Sequence, residues 1–145
     1  MYKTIQNHPA YAAQVESIDE SVSRVVAKLK ELKLQDNTII VFTSDHGGFS
    51  SRGLKSGIHL PASNLPFRHG KGWVYDGGLR VPMIVKWPAK LKGGLTTQVQ
   101  ATGTDHFSSF IDMAGIHHES KTTLDSSSYY AACQGHTKAR AAMFW

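Results

Sequence analysis

Residues 37–48 read Asn-Thr-Ile-Ile-Val-Phe-Thr-Ser-Asp-His-Gly-Gly, and the fold class turns on them. Ile39 to Phe42 is a continuous apolar run. Such a run reads as a buried strand of a mostly parallel sheet flanked by helices. It leads into Asp45 and His46, and Gly47 and Gly48 follow at once. Ligands of open α/β sheets bind at the carboxyl ends of strands. A carboxylate and an imidazole side by side at such an end can both reach one cation. The two glycines allow the backbone to turn away at positive φ. Taken alone, the segment fits equally well a plain strand-to-loop turn with Asp45 and His46 solvated.

Residues 65–82 read Leu-Pro-Phe-Arg-His-Gly-Lys-Gly-Trp-Val-Tyr-Asp-Gly-Gly-Leu-Arg-Val-Pro. Lys71 stands between Gly70 and Gly72, so its backbone is expected to approach an anion closely. A lysine ammonium is a compact point charge suited to a tetrahedral oxyanion. Gly77 and Gly78 mark another tight turn. Arg80 to Trp87 reads as a second strand, with Pro82 near its start and Pro88 ending it. Arg68 and His69 beside Lys71 are candidate substrate-binding residues, with plain surface roles as the alternative. The loop over 49–66 joins the Asp45–His46 pair to Lys71 and is expected to line a cleft, because loops of this length are often functional. His59, Arg52, Lys55 and Asn64 are its candidates for touching a leaving group; each also fits a solvated loop residue.

The flanking sequence supplies an α/β scaffold. Tyr11, Val15, Ile18, Val22, Val25, Leu29 and Leu32 recur at steps of three and four, which predicts a helix over residues 9–33 packed on the sheet. Pro9 sits where a first-turn proline is tolerated. A strand is expected over 97–101. Thr104 is expected to N-cap a short helix ending at Gly115, with Phe107, Phe110 and Ile111 facing inward. Residues 117–128 read as a polar loop, in which His117 and His118 form only a weak metal signal. A short helix over 129–134 and the start of a strand over 139–145 follow.

Composition narrows the classes. The 145 residues hold 41% hydrophobic and 19% charged residues, the proportions of an ordinary globular chain. The formal charge of +5 comes from 16 Lys plus Arg against 11 Asp plus Glu. It fits either an anion-binding cleft or a piece whose acidic balance lies elsewhere. No dense basic run interleaved with aromatics is present, so nucleic acid is not an expected partner. No run approaches the length of a membrane span. Cys133 is the single cysteine, which rules out an internal disulfide framework and reads as a small packing residue. Residues 1–9 lack the apolar core of a signal peptide.

The Thr43-Ser-Asp-His-Gly-Gly motif and the Gly70-Lys-Gly-Trp-Val-Tyr-Asp-Gly-Gly-Leu-Arg-Val-Pro string together resemble the type I sulfatases, the arylsulfatase-like branch of the alkaline phosphatase superfamily. Tyr11-Ala-Ala-Gln-Val-Glu-Ser-Ile-Asp-Glu-Ser-Val is similar to the helix before that family's metal strand, and Thr104-Asp-His-Phe-Ser-Ser-Phe-Ile-Asp-Met-Ala-Gly to a later helix. Leu124-Asp-Ser-Ser-Ser and Met143-Phe-Trp resemble the lead-in to its C-terminal subdomain. The resemblance implies residues 1–128 as the C-terminal portion of a catalytic α/β domain, incomplete at both ends, and 129–145 as the start of a further subdomain. It implies a metal-dependent sulfuric ester hydrolase acting on a sulfated small molecule or glycan. Asp45 and His46 would be metal ligands and Lys71 the residue that binds sulfate and stabilises its charge.

The cofactor that the resemblance implies is a divalent cation, calcium first; most relatives place Asn beside this Asp, but some place His. An imidazole ligand is better suited to transition metals than to calcium, so His46 sits less comfortably with calcium than an amide would. The family nucleophile is a formylglycine made from the cysteine of a Cys-x-Pro-Ser-Arg type motif. Neither that motif nor the family's paired aspartates occurs here, so the chain alone is expected to be inactive and to need the missing N-terminal half. A periplasmic or secreted parent is the expectation by resemblance. Two alternatives stand beside this reading: a phosphodiesterase or phosphatase of the same superfamily, where Asp-His pairs bind zinc, and a noncatalytic anion- or glycan-binding remnant.

Overall fold

A computed structural model of the chain describes residues 8–50, 60–119, 122–136 and 143. They form two compact units, Met1–Val85 and Lys86–Trp145.

In the first unit, helix α1 spans Pro9–Glu31. Pro9 begins it, and the Nδ1 atom of His8 accepts from the Tyr11 N–H at 3.1 Å, satisfying one of the N–H groups a helix start leaves unpaired. At the other end Lys33 takes the left-handed conformation (φ 58°), and Leu34 N–H closes on Leu29 O at 2.9 Å. That reversal is a Schellman-type stop. A 3-10 turn over Gln35–Asn37 leads into strand β1, Ile40–Thr43. The short helix α2, Asp76–Leu79, precedes strand β2, Met83–Lys86.

β1 and β2 pair antiparallel as a two-stranded sheet. The register continues past the strand ends: Thr43 Oγ1 donates to Pro82 O at 3.1 Å, and Gly47 N–H donates to Gly78 O at 2.8 Å. This antiparallel pair is a local departure from the parallel order read from the apolar run. It is short because Pro82, just before β2, has no N–H to extend the ladder. Nor are the strands buried: Phe42 is 39% and Ile84 61% exposed. A two-stranded sheet covers one edge of each strand, and among the described residues no layer closes both faces.

The stripe of α1 is likewise uncovered. None of its residues is buried, and Val15, Ile18, Val22, Val25 and Leu32 are all exposed. The helix forms where the 3.6-residue period predicts it, but the expected packing on the sheet is not seen among the described residues. No described helix is long and apolar enough to cross a membrane.

The second unit is built on helix α3, Asp105–Ala114, and the short helix α4, Tyr130–Cys133. Its core is Trp87, Met113, Tyr129 and Ala132. Gly115 ends α3 in the left-handed conformation at φ 66°, as expected. Two expectations are corrected. Phe107 and Phe110 are exposed, and the buried face of α3 is Asp105, Ser109 and Met113. Thr104 makes no side-chain cap. Instead the fully buried Asp105 carboxylate accepts from Thr102 N–H at 2.7 Å and from Ser127 N–H at 2.8 Å.

Residues 126–129 are stitched along α3 rather than solvated. Ser126 pairs with Ser108, Ser128 donates to Asp112, and Tyr129 N–H donates to Ser109 Oγ at 2.9 Å. Hydroxyls on the helix satisfy a chain segment that has no strand partner, which is why a polar face turns inward here. The expected strand over 97–101 is irregular chain. Cys133 is half-buried, and burial pushes its thiol up, in keeping with a packing role. The strand expected over 139–145 lies mostly outside the described residues.

Two stability outcomes follow. Asp105→Ala leaves the Thr102 and Ser127 N–H groups without their acceptor; urea denaturation should show a loss on the order of 3 kcal/mol, given about 1–3 kcal/mol for each buried group left unpaired. Burial pushes the Tyr129 phenol up from 10.0 to about 12. The unfolded chain therefore releases this proton first, and stability falls as pH rises from about 10 towards 12. Melts across that range should fall less steeply for Tyr129→Phe than for the wild type.

Candidate functional site

Three loops of the first unit meet. The turn after β1 carries Asp45 and His46. The turn before α2 carries Arg68, His69 and Lys71. The third is the stretch around Asn64. Lys71 N–H donates to Gly48 O at 3.1 Å, and Gly77 N–H donates to Arg68 O at 3.0 Å. With the Gly47–Gly78 bond, these tie the end of β1 to the lysine turn and to α2. The structure thus brings Asp45, His46, Arg68, His69 and Lys71 into one neighbourhood. His59 lies outside the described residues, as do Arg52 and Lys55.

Glycines make this approach possible. A Cβ on Gly47 would sit 1.8 Å from Gly77 O, one on Gly70 2.2 Å from Gly48 O, and one on Gly78 1.9 Å from Trp73 O. None of these three has the positive φ expected for Gly47. The requirement is space between backbones, not a left-handed turn. Gly70 is buried against Gly48 and so does not open the Lys71 backbone to an anion. Among the described glycines of this neighbourhood, Gly72 at φ 89° plays the conformational part.

His46 Nδ1 lies 3.0 Å from Gly47 O. A carbonyl only accepts, so Nδ1 carries the proton. Nε2 is then free to act as a ligand, and it lies 3.2 Å from Asp45 Oδ2. Two electron-pair donors this close repel unless a proton or a cation accompanies them. A backbone carbonyl orienting the far ring nitrogen is the usual second partner of a metal-binding histidine. The pair therefore fits a cation. Among the described residues no third His, Cys, Asp or Glu joins them, so they supply two ligands and not a full shell.

The Lys71 ammonium is exposed and has no ion-pair partner among the described residues. Arg68 lays its guanidinium over the Tyr75 ring at 3.9 Å. The His69 ring stacks on Trp73 at 4.4 Å and on Tyr75 at 5.2 Å, and its backbone is left-handed at φ 58°. The neighbourhood offers cationic heads beside a cation-compatible pair, a chemistry matched to a polyoxygenated anion.

Two contributions are not evident from the sequence. The aromatic stack of His69, Trp73 and Tyr75 was hidden inside a glycine-rich string. Asn64 reads from the sequence as a solvated loop residue or a candidate for touching a leaving group. Its amide nitrogen instead lies 2.9 Å from Gly48 O, 2.9 Å from Gly77 O, 3.1 Å from His69 O and 2.8 Å from Ser50 Oγ.

With this geometry in hand, comparison with known proteins gives a consistent answer. The sulfatase family model matches residues 2–116. The chain belongs to the sulfatase family. It is 40% identical over 108 residues to the steryl-sulfatase of Mus musculus, an alignment covering 74% of this chain and 17% of that protein. It is 35% identical over 115 residues to the N-acetylgalactosamine-6-sulfatase of Sus scrofa, covering 79% and 21%. The crystal structure of Ps i-CgsB in complex with k-i-k-neocarrahexaose superposes with a TM-score of 0.74 at 32% identity, over 90% of this chain and 27% of that one. This chain therefore spans about a fifth of the length of those two sulfatases. Its α/β architecture corresponds to part of the sulfatase, alkaline phosphatase-like domain.

Close backbone packing in this neighbourhood has a measurable consequence. Gly70→Ala should destabilise the first unit by about 1–3 kcal/mol, the usual cost of overpacking. Gly93→Ala, where an added Cβ meets nothing within 4 Å, should stay within about 0.5 kcal/mol of wild type in the same denaturation series.

Proposed function

We propose that these residues form the sulfate-anchoring side, and part of the cation site, of a sulfuric ester hydrolase whose substrate is a sulfated small molecule or glycan. The observation that carries this is the 3.1 Å bond from Lys71 N–H to Gly48 O, which holds the lysine turn against the turn bearing Asp45 and His46. Membership of the sulfatase family supports the reaction class. The complexed carrageenan oligosaccharide of the structural relative supports a glycan as one substrate class.

In this reading the Lys71 ammonium neutralises the charge of the sulfate group, most of all as it develops on the leaving oxygen. Asp45 and His46 Nε2 would hold a divalent cation, calcium being the one that the family resemblance implies. When bound, the cation polarises sulfate oxygens and so lowers the cost of nucleophilic attack on sulfur. Arg68 and His69 orient the rest of the substrate: the His69 ring stacks on Trp73 and Tyr75, and the Arg68 guanidinium lies over the Tyr75 ring. The nucleophile is not among the residues of this sequence, which contains no Cys-x-Pro-Ser-Arg motif. Binding, not turnover, is the activity of this chain by itself.

Calorimetry with calcium chloride and sodium sulfate, alongside a chromogenic aryl sulfate assay, tests this. Lys71→Ala should weaken sulfate about tenfold or more, the equivalent of one charge-assisted hydrogen bond of roughly 1.5–3 kcal/mol, and leave calcium affinity unchanged. Asp45→Ala should remove calcium binding, and His46→Asn should retain much of it through the amide oxygen. No variant should turn over the aryl sulfate. Loss of calcium in Lys71→Ala with retention in Asp45→Ala would reverse the assigned roles, and turnover by the wild-type chain would overturn the account of the nucleophile.

A further inference from the structure

Asn64 stands apart from the candidate ligands in sequence, at the end of the long loop, yet its side chain reaches three segments, the turn after β1, the lysine turn and α2. Its amide nitrogen meets the carbonyl of Gly48, two residues after His46; the carbonyl of His69, two before Lys71; and the carbonyl of Gly77 in α2. The fourth oxygen is Ser50 Oγ, which in turn donates to His69 O at 2.9 Å. An NH2 group has two protons, so four acceptors share them in three-centre bonds. Three carbonyl dipoles converging on one point repel each other. Only a donor placed among them offsets that repulsion, and the surrounding acceptors identify the inward atom as nitrogen.

We propose that Asn64 is a positioning residue: its amide locks the Gly47–Gly48 turn to the His69–Lys71 turn, so that the cation pair and the sulfate lysine keep one fixed spacing. This rests on the sulfate-and-cation reading of the site. A fixed spacing lets one sulfate engage the cation and Lys71 together without first ordering the loops, so each ligand strengthens the other. Ser50 is the secondary brace of the same lock. No other described side chain contacts all three segments through hydrogen bonds.

The test uses the whole chain in wild-type, Asn64→Ala, Asn64→Asp and Ser50→Ala forms, with two measurements. The first is amide hydrogen exchange at Gly47 and Lys71, whose N–H groups bond Gly78 O and Gly48 O. Asn64→Ala should lower protection at both about tenfold or more, while amides in the middle of α1 are unchanged. Asn64→Asp should do worse than alanine although it is nearly isosteric, because a carboxylate turns an acceptor towards three carbonyls; a residue that merely fills space predicts the opposite order. The second is sulfate affinity by calorimetry with and without saturating calcium chloride. The wild type should gain about fivefold or more from calcium, the low end of ordinary coupling. In Asn64→Ala the gain should fall to within about twofold of none, with calcium itself still bound.

Retained Gly47 and Lys71 protection in Asn64→Ala, or an undiminished calcium effect on sulfate, overturns the proposal. If Asn64→Ala does not fold, Ser50→Ala carries the same test: a partial loss of protection at both amides supports the lock, and no loss overturns it. A wild type that binds neither salt refutes the ligand reading, while the exchange measurement, which needs no ligand, still decides whether Asn64 couples the two turns.

Discussion

Three backbone carbonyls, those of Gly48, His69 and Gly77, converge on the side-chain amide of Asn64, and the arrangement of the first unit depends on that point. Each carbonyl belongs to a segment that is otherwise irregular chain or a single turn of helix. None has a full ladder of regular hydrogen bonds to hold it. Backbone groups that leave regular structure need other partners, and here one side chain supplies them for three segments at once. The direct bonds Gly47–Gly78, Lys71–Gly48 and Gly77–Arg68 then lie between segments already brought together.

The same convergence explains the glycines. Backbones approach so closely around Asn64 that an added methyl at Gly47, Gly70, Gly77 or Gly78 would lie 2.2 Å or less from a carbonyl oxygen. The chain gains density there by giving up side chains. The chemistry-bearing residues are those that point away from the knot. Lys71 is exposed, Asp45 is exposed, and His46 is half-buried with one ring nitrogen tied to the backbone. A rigid backbone centre with charged groups at its rim is suited to meeting an anion, because orienting costs have been met in folding and not at binding. The second unit follows a related rule at lower density: a buried carboxylate and a row of hydroxyls on α3 satisfy residues 126–129 in place of a neighbouring strand.

Much of this was legible in the sequence. The helix at 9–31 follows from its period and from Pro9; its stop follows less obviously, since a lysine and not a glycine takes the left-handed position at residue 33. The apolar run at 39–42 marks a strand, and Gly115 ends α3 as written. Asp45, His46 and Lys71 are ambiguous segment by segment, and it is the Thr-Ser-Asp-His-Gly-Gly motif taken together with the longer glycine string that points to the sulfatase family. Local signals failed where a partner elsewhere in the chain made the choice. Thr104 has the chemistry of a cap, but the carboxylate next to it wins because it can reach both Thr102 and Ser127. Phe107 and Phe110 have the hydrophobicity of a core but lie on the opposite side from the serine row.

The sequence by itself determined α1, α3 and the strands β1 and β2, though not the irregular course of 97–101 or the helical turn of α2, because period, proline and glycine act on neighbours a few positions away. Tertiary structure alone decided the direction in which β1 and β2 pair, the reason for the glycines, and the task of Asn64. Those depend on which backbones meet across gaps of roughly ten to forty residues, and no local pattern encodes a meeting of that kind. An asparagine before Leu65 and Pro66 looks like a loop residue until the three carbonyls arrive around it.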